Sequence, residues 1–330
     1  MSRKIYIVAR TFKIEGLFAI VNSVINHCEY AYDNGYIPIV DMKHYANQYF
    51  KDGRIFKDNS WEYFFEQPGG IGLDDIQDED EIVISKNLHV LDVSTSLFWG
   101  DLPVDNVIIN SEEIVKKKLS QKNLLKFNQE TKEYLEENFS KLVGNGDDVL
   151  GILCRGTDYI NKKPRNEEIQ PNPETVIAKA KEVIKKNPQI KRIYVATEDN
   201  EIYQKFKQEF GDILIENSQY KYSLEDKTLN YDYLSNIKVD RKDHNYNLAK
   251  EYLLSIYILS KCRYFIGGRT TGSKWAWLLS EKWEYFYIWK LGKYGKSIIQ
   301  QMFSVYSEDN GIKKYKVYNI CGIKIKTKIS

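Results

Sequence analysis

Histidine and cysteine are scarce in this chain of 330 residues, with four of each. The cysteines, Cys28, Cys154, Cys262 and Cys321, are far apart and form no CxxC pair. That excludes a redox dithiol and a dense disulfide framework, and leads us to expect reduced, mostly buried thiols in a cytosolic chain. The histidines, His27, His44, His89 and His244, have no metal-ligand spacing, so no metal is expected. No apolar run nears the roughly 18 residues that suggest a membrane span, and SRKIYIVAR enters a strand pattern without the apolar stretch of a signal peptide. Charge bias is also missing: 48 Lys and Arg face 46 Asp and Glu, a formal net charge of +2, which argues against a dedicated nucleic-acid partner. No GxGxxG follows the first strand pattern, which excludes a plain dehydrogenase. The expected location is the cytoplasm, with peripheral attachment at the inner face of a membrane as the variant.

What is present is a folded composition, 42% hydrophobic and 28% charged, with length enough for two domains. KIYIVAR reads as a buried strand; apolar residues then recur at helical spacing from Leu17 to Asn34, Gly35 stops the helix, and YIPIVDM starts a second strand. Strand, helix and strand in so short a span mark a parallel α/β unit. Residues 43–100 read as an irregular, aromatic insertion and 111–142 as mostly helical, with GNGDD ending the helix and separating two halves. In the second half, strands are expected at VLGILC, RIYVAT, ILIE, CRYFIGG and YFYIW, with helices between them. The boundaries are therefore 1–145 for an N-terminal domain, 146–300 for a C-terminal domain, and 301–330 for a tail. The tail, KKYKVYNICGIKIKTKIS, alternates basic and apolar residues and reads as an edge strand or a disordered end, or else as an attachment to anionic lipid.

In open parallel sheets, ligands bind beyond the carboxyl ends of the strands. The polar residues there are Arg10 and the KIEG loop, then Arg155, Thr157 and Asp158, then Thr197, Glu198 and Asp199, then Glu216 and Asn217, and finally Arg269, Thr270, Thr271, Ser273 and Lys274. An arginine at a strand mouth is costly to desolvate unless it meets an anion, and guanidinium grips phosphate or carboxylate bidentately. GGRTTGSKWAWLL offers glycines, hydroxyls and a helix start suited to phosphate, without the GxxxxGK[ST] spacing of a Walker loop. The structural alternatives are a tight turn with Thr271 or Gly272 near the cap, an Arg155–Asp158 ion pair, Thr197 as the cap of the next helix, and Glu167 and Glu168 facing solvent.

Four stretches, EGLFAIVNSVINHCEYAYDNGYIPIVD, GILCRGTDY, IYVATEDNEIYQKF and YLLSIYILSKCRYFIGGRTTGSKWAWLL, resemble in order and spacing the fucosyltransferase superfamily of α-1,2- and α-1,6-fucosyltransferases and, more distantly, protein O-fucosyltransferases. The resemblance spans most of residues 5–280. It implies an α/β fold of the GT-B type, two Rossmann-like domains facing across a cleft, and an inverting, metal-independent transfer of fucose from GDP-fucose to a glycan in bacterial surface polysaccharide or glycoconjugate synthesis. The implied partners are a nucleotide sugar and an oligosaccharide or lipid-linked glycan acceptor. Arg155 falls on the arginine that contacts the donor diphosphate, and Asp158 on the motif aspartate. Thr270, Thr271, Gly272 and Ser273 fall on the C-terminal hydroxyl motif, Glu216 near an acid of base recognition, and Gly16 on a glycine of the N-terminal loop. Gly156 replaces the family's second arginine and Leu153 its histidine; these departures bear on guanine and fucose recognition and leave the phosphate contact in place.

The reaction places charge on the leaving diphosphate, which Arg155, the GRTTGS amides and Lys274 would stabilise. Asp158 and Glu15 are the candidate bases; an aspartate held tightly by Arg155 would be a poor base and would orient the arginine instead. Thr197, Glu198 and Arg269 complete the expected donor contacts, with His244 and Asn245 on the acceptor or sugar side. A transferase for another nucleotide sugar, or a non-catalytic glycan- or nucleotide-binding module, are the competing readings.

Overall fold

The structure is a computed structural model that describes residues 2–9, 15–85, 112–155, 163, 167–223, 237, 239–281, 283–295, 303–309, 314–320 and 323–329. The chain divides into two compact units. The first comprises Met1–Leu102, Ile109–Asn138 and Lys238–Leu254, the second Pro103–Ile108, Phe139–Ile237 and Ser255–Ser330. Residues 238–254 thus group with the first unit, although they lie inside the 146–300 span drawn from sequence.

The first unit is built on a parallel sheet of β1 (Lys4–Ala9), β2 (Ile37–Asp41) and β3 (Glu81–Ile84), in the order β2-β1-β3. Both faces of β1 are covered. Ile5, Ile7 and Ala9 pack with Ile39, while Tyr6 stacks on His27 of α1 (Leu17–Asp33) and its hydroxyl meets His27 Nδ1 at 3.0 Å. Such two-sided burial explains the continuous apolar run of KIYIVA.

Strand β3 corrects the reading of 43–100 as irregular. It is a four-residue edge strand with Ile82 and Ile84 exposed, preceded by the acidic run DDIQDED, so neither length nor burial marks it in the sequence. Within the same stretch Trp61, Phe64 and Phe65 are buried, and Asn59 holds them by accepting from Met42 N and donating to Val40 O. The helical region 111–142 is two helices, α2 (Glu112–Leu124) and α3 (Gln129–Leu142). The chain re-enters helix where Asn128 accepts from Thr131 N at 2.9 Å.

In the second unit β4 (Val149–Leu153), α4 (Pro173–Lys186), β5 (Arg192–Ala196), α5 (Asn200–Phe210), α6 (His244–Lys261), β6 (Tyr264–Gly268), α7 (Thr271–Leu279) and β7 (Tyr285–Trp289) follow one another, the unit division falling within α6. The sheet is parallel with the order β5-β4-β6-β7. ILIE does not become a strand: a 3-10 turn, Gly211–Ile213, is followed by a single bridge from Leu214 to Ile193. Two parallel α/β units are the two Rossmann-like domains that the GT-B class calls for.

The tail is neither one edge strand nor a loose end. β8 (Phe303–Asp309), β9 (Lys314–Ile320) and β10 (Ile323–Ile329) form an antiparallel sheet in the order β10-β9-β8. Its alternating pattern satisfies period two in all three strands. Cys28, Cys154 and Cys262 are free and buried, as expected, and burial pushes their thiols up in pKa. Cys321 lies outside the described residues.

Candidate functional site

The strand order of the second unit fixes where a ligand can enter. From β4 the chain crosses to β5 on one side and later returns to β6 on the other, so the crevice at the carboxyl ends of β4 and β6 is the topological switch point. The register pairs Leu153 with Gly267 and sets the two strand ends level. Arg155 leaves β4 there, half-buried, and Arg269 leaves β6 there, 7% exposed. Residues so far apart in sequence become neighbours on one rim because their strands pair.

Past β6 the chain turns at once into α7. Thr270 is the N-cap: its hydroxyl accepts from Ser273 N at 3.0 Å, and Ser273 Oγ donates to Gly268 O at 2.6 Å. Thr271 and Gly272 therefore follow the cap directly, one and two residues after it. Thr270 serves one of the four orphan amides of the helix start, while Thr271 and Gly272 occupy its first two positions, where amides suit an anion. Lys274 in the same turn is 4% exposed.

The loop 167–170 braces this turn. Gln170 Nε2 donates to Arg269 O at 2.9 Å and to Glu168 O at 3.1 Å. Glu168 is 9% exposed, with its carboxylate 3.9 Å from Arg269 and 3.8 Å from Lys293, which corrects the solvent-facing reading. Burial raises its pKa against the pull of those two cations, and burial likewise lowers Arg269. Sequence could not flag Glu168, because its partners come from the ends of β6 and β7.

A raised carboxyl pKa in the folded state favours the protonated form, so this group's contribution to stability diminishes as pH rises above 4.5, its ordinary value. Glu168→Gln should remove that dependence. The melting-temperature difference, variant minus wild type, is expected to climb with pH from that point; a flat difference would show that burial does not control the group.

Beyond β5, Thr197 Oγ1 accepts from Asp199 N at 3.3 Å, and Asp199, fully buried, caps α5 through Ile202 N at 3.1 Å. The cap is Asp199 rather than Thr197. Glu198 is half-buried, its carbonyl accepting from Tyr222 N. The carboxylate of Glu216 accepts from Lys207 Nζ of α5 at 2.6 Å and is 73% exposed. Lys207 holds that carboxyl below its usual range. Asp158, with Gly156 and Thr157, lies outside the described residues, as does Arg10.

In the first unit Gly16 is the N-cap of α1, and the carbonyl of Glu15 accepts from Gln48 Nε2 at 2.8 Å and Tyr49 Oη at 3.1 Å. His244 is no loop residue; it opens α6 and is 9% exposed. Asn245 lines a hollow of about 280 Å³ together with Asn47, Gln48, Phe50, Asp52 and Phe56. Asp52 and Asp243 clamp this wall reciprocally, each carboxylate accepting the other's backbone amide at 2.6 and 2.7 Å.

One arrangement escaped the sequence reading. At the end of β2, Asp41 accepts from the amides of Lys43 and His44 and meets His44 Nδ1 at 3.0 Å. The imidazole is 60% exposed and the carboxylate 7%. A buried carboxylate beside an exposed imidazole can fix the orientation of that ring. The available signal was DMKH, an acid and a histidine three apart just past a strand. Among the described residues no three His, Cys, Asp or Glu gather as a metal-holding group.

No protein-family profile matches the sequence, and no curated protein does. Among solved structures the chain is similar to the fucosyltransferase NodZ from Bradyrhizobium, with TM-score 0.47 and 14% identity over 85% of this chain and 94% of that one. It is similar to a mutant of Arabidopsis thaliana FUT1 in complex with GDP, with TM-score 0.46 and 10% identity over 89% and 71%. POFUT1 in complex with GDP-fucose gives TM-score 0.44 and 9% identity over 87% and 97%.

Proposed function

We propose that this protein is an inverting glycosyltransferase that moves fucose from GDP-fucose to a hydroxyl of a bacterial surface glycan or glycoconjugate. One observation carries the reading: Arg155 and the Arg269–Lys274 turn flank the switch-point crevice, one from each of two paired strands. Two guanidiniums, a buried lysine and an open helix start suit the diphosphate of a nucleotide sugar. The donor is proposed from the motif resemblance.

In the proposed step the acceptor oxygen forms a bond to the anomeric carbon from the face opposite the leaving group. The bond from that carbon to the bridging oxygen breaks, and its electron pair goes to the nucleoside diphosphate. Arg155, Arg269 and the amides of Thr271 and Gly272 stabilise the growing negative charge. The hydroxyl proton passes to a base, for which the sequence candidates are Asp158 and Glu15. The hollow at Asn245, with two phenylalanines and several amides, is the proposed acceptor contact.

A second reading has its own support. Glu216 is engaged by Lys207, and Leu153, at the family's histidine position, is a buried strand residue. Both weaken guanine recognition and favour another base or sugar on the same diphosphate grip. A panel of GDP- and UDP-sugars, read by mass spectrometry with glycan acceptors, separates the two. Transfer from GDP-fucose alone supports the first reading, and transfer from another donor the second. Absence of transfer and of donor hydrolysis with every member, despite nucleotide binding by calorimetry, would leave a non-catalytic binding module.

A further inference from the structure

Backbone strain in the first unit gathers at the hollow beside Asn245. Among the described residues three that are not glycine have positive φ; two of them are Phe56, at 58°, which lines the hollow, and Asp243, at 52°, which clamps its wall through Asp52. That left-handed region is disfavoured for a side chain with a Cβ, most of all a bulky one. Such strain persists only where the surroundings impose it, and it collects at ligand clamps. Phe56 is nonetheless 52% exposed, so burial of its ring does not offset the strain.

The loop that carries Phe56 is pinned in place. Arg54 Nε donates to Asp58 Oδ2 at 2.8 Å and Lys57 Nζ to Gly53 O at 2.9 Å, while Asp52 and Asp243 hold each other's amides. Phe50, 8% exposed, meets the Phe56 ring edge-to-face with centroids 5.6 Å apart and fixes its plane. A flat apolar ring is thus presented, already ordered, at the mouth of a hollow.

The polar groups of the lining suit hydroxyls. Among the described residues the side-chain amide of Asn245 has no hydrogen-bond partner. Gln48 donates through Nε2 and keeps its side-chain carbonyl, and Asp52 gives Oδ2 to the amide of Asp243 and keeps Oδ1. No charge is in surplus. Lys51, the cation of the lining, lies 4.7 and 4.3 Å over the rings of Tyr63 and Tyr246, and Asp52 balances it. The volume, about 280 Å³, is near the low end for small-ligand sites, about 300–1,000 Å³.

We propose that this hollow binds an uncharged pyranose, its apolar C–H face on Phe56 and its hydroxyls on Asn245, Gln48 and the free oxygen of Asp52. A pyranose combines a flat apolar face with a rim of hydroxyls, and so matches an open aromatic ring set among uncommitted amide and carboxylate groups. A purely apolar partner would leave those groups buried without partners, and an anion would meet Asp52. The inference rests on the acceptor reading above for its place in the transfer, and names the chemical class of the acceptor at this contact.

The test is saturation-transfer NMR of the full chain with the methyl glycosides of D-glucose, D-galactose and N-acetyl-D-glucosamine. Sorbitol, which has the hydroxyls but no ring face, is the control. At least one glycoside should take up saturation, strongest at the protons of one ring face, and sorbitol should take up none. Phe56→Gly removes the ring and relieves the left-handed strain, so it should lose the signal and melt no lower than the wild type. No signal from any glycoside with the wild type overturns the proposal, as does an equal signal from sorbitol or a wild-type signal in Phe56→Gly. A folded Phe56→Gly that melts lower also overturns it, since the ring would then be a packing element. If that variant does not fold, Asn245→Ala decides: glycoside affinity should weaken roughly fivefold, and unchanged affinity overturns the proposal. Calorimetry of the wild type with GDP keeps the two readings apart. GDP binding without a glycoside signal overturns this inference alone, whereas a glycoside signal without binding of GDP supports it and counts against the GDP-fucose donor.

Discussion

Arg155→Ala is expected to lower transfer turnover by roughly 10²–10³-fold, the usual cost of removing one preorganised group that stabilises transition-state charge. The residue follows β4 and is only half-buried, so the melting temperature should stay near that of the wild type. Arg155→Lys separates charge from geometry. A lysine restores a point charge without the planar two-pronged donor, and should recover a minor part of the rate. Turnover close to normal in the alanine variant would remove this arginine from the site and with it the main support for a diphosphate grip.

Gly268→Ala should be damaging for a different reason. A Cβ built at Gly268 would lie 1.9 Å from Gln170 Oε1, 3.0 Å from Gln170 Cδ and 3.2 Å from Pro171 Cδ. Gln170 is 6% exposed and holds the carbonyls of Glu168 and Arg269, so it cannot swing aside without breaking both bonds. The expected loss of stability is about 1–3 kcal/mol, measured by denaturant unfolding. Donor affinity should fall with it, because Arg269 and Thr270 follow directly. Combining Gly268→Ala with Gln170→Ala checks the cause: if the clash is responsible, the double variant is less destabilised than the sum of the singles. Simple additivity would show that the methyl group harms the strand in some other way.

Gly268 also shows how far the sequence could be read. GG before RTTGS marks a tight strand-to-helix turn from composition alone, and the helix start and its hydroxyls were legible there. That the second glycine is demanded by a glutamine 98 positions earlier in the chain was not. The same holds for Glu168, which looks like a solvent-facing acid until β6 and β7 bring Arg269 and Lys293 to it. Asp41 and His44 were adjacent enough to be noticed, but the separation of buried carboxylate from open imidazole is a matter of burial, which a local pattern does not carry.

Periodic signals performed as their physics requires. Strands covered on both faces, such as β1 and β4, appear as unbroken apolar runs, and amphipathic α5, with Ile202, Tyr203 and Phe206 buried, appears at helical spacing. Short or weakly buried elements lost their signal: β3 is a four-residue exposed edge, and ILIE pairs at one residue only. The tail showed alternation but no partner, since antiparallel pairing of β8, β9 and β10 is a property of three segments together.

By itself, then, the sequence determined the parallel α/β class, the balanced charge, and the strand ends at Arg155 and at Arg269 to Lys274, because those follow from local propensity and from burial of each segment's own side chains. Tertiary structure alone decided which strand ends adjoin, which acids are buried beside which cations, and which residue caps each helix. Those outcomes depend on pairing and desolvation between segments distant in the chain, and no local pattern of residues encodes them.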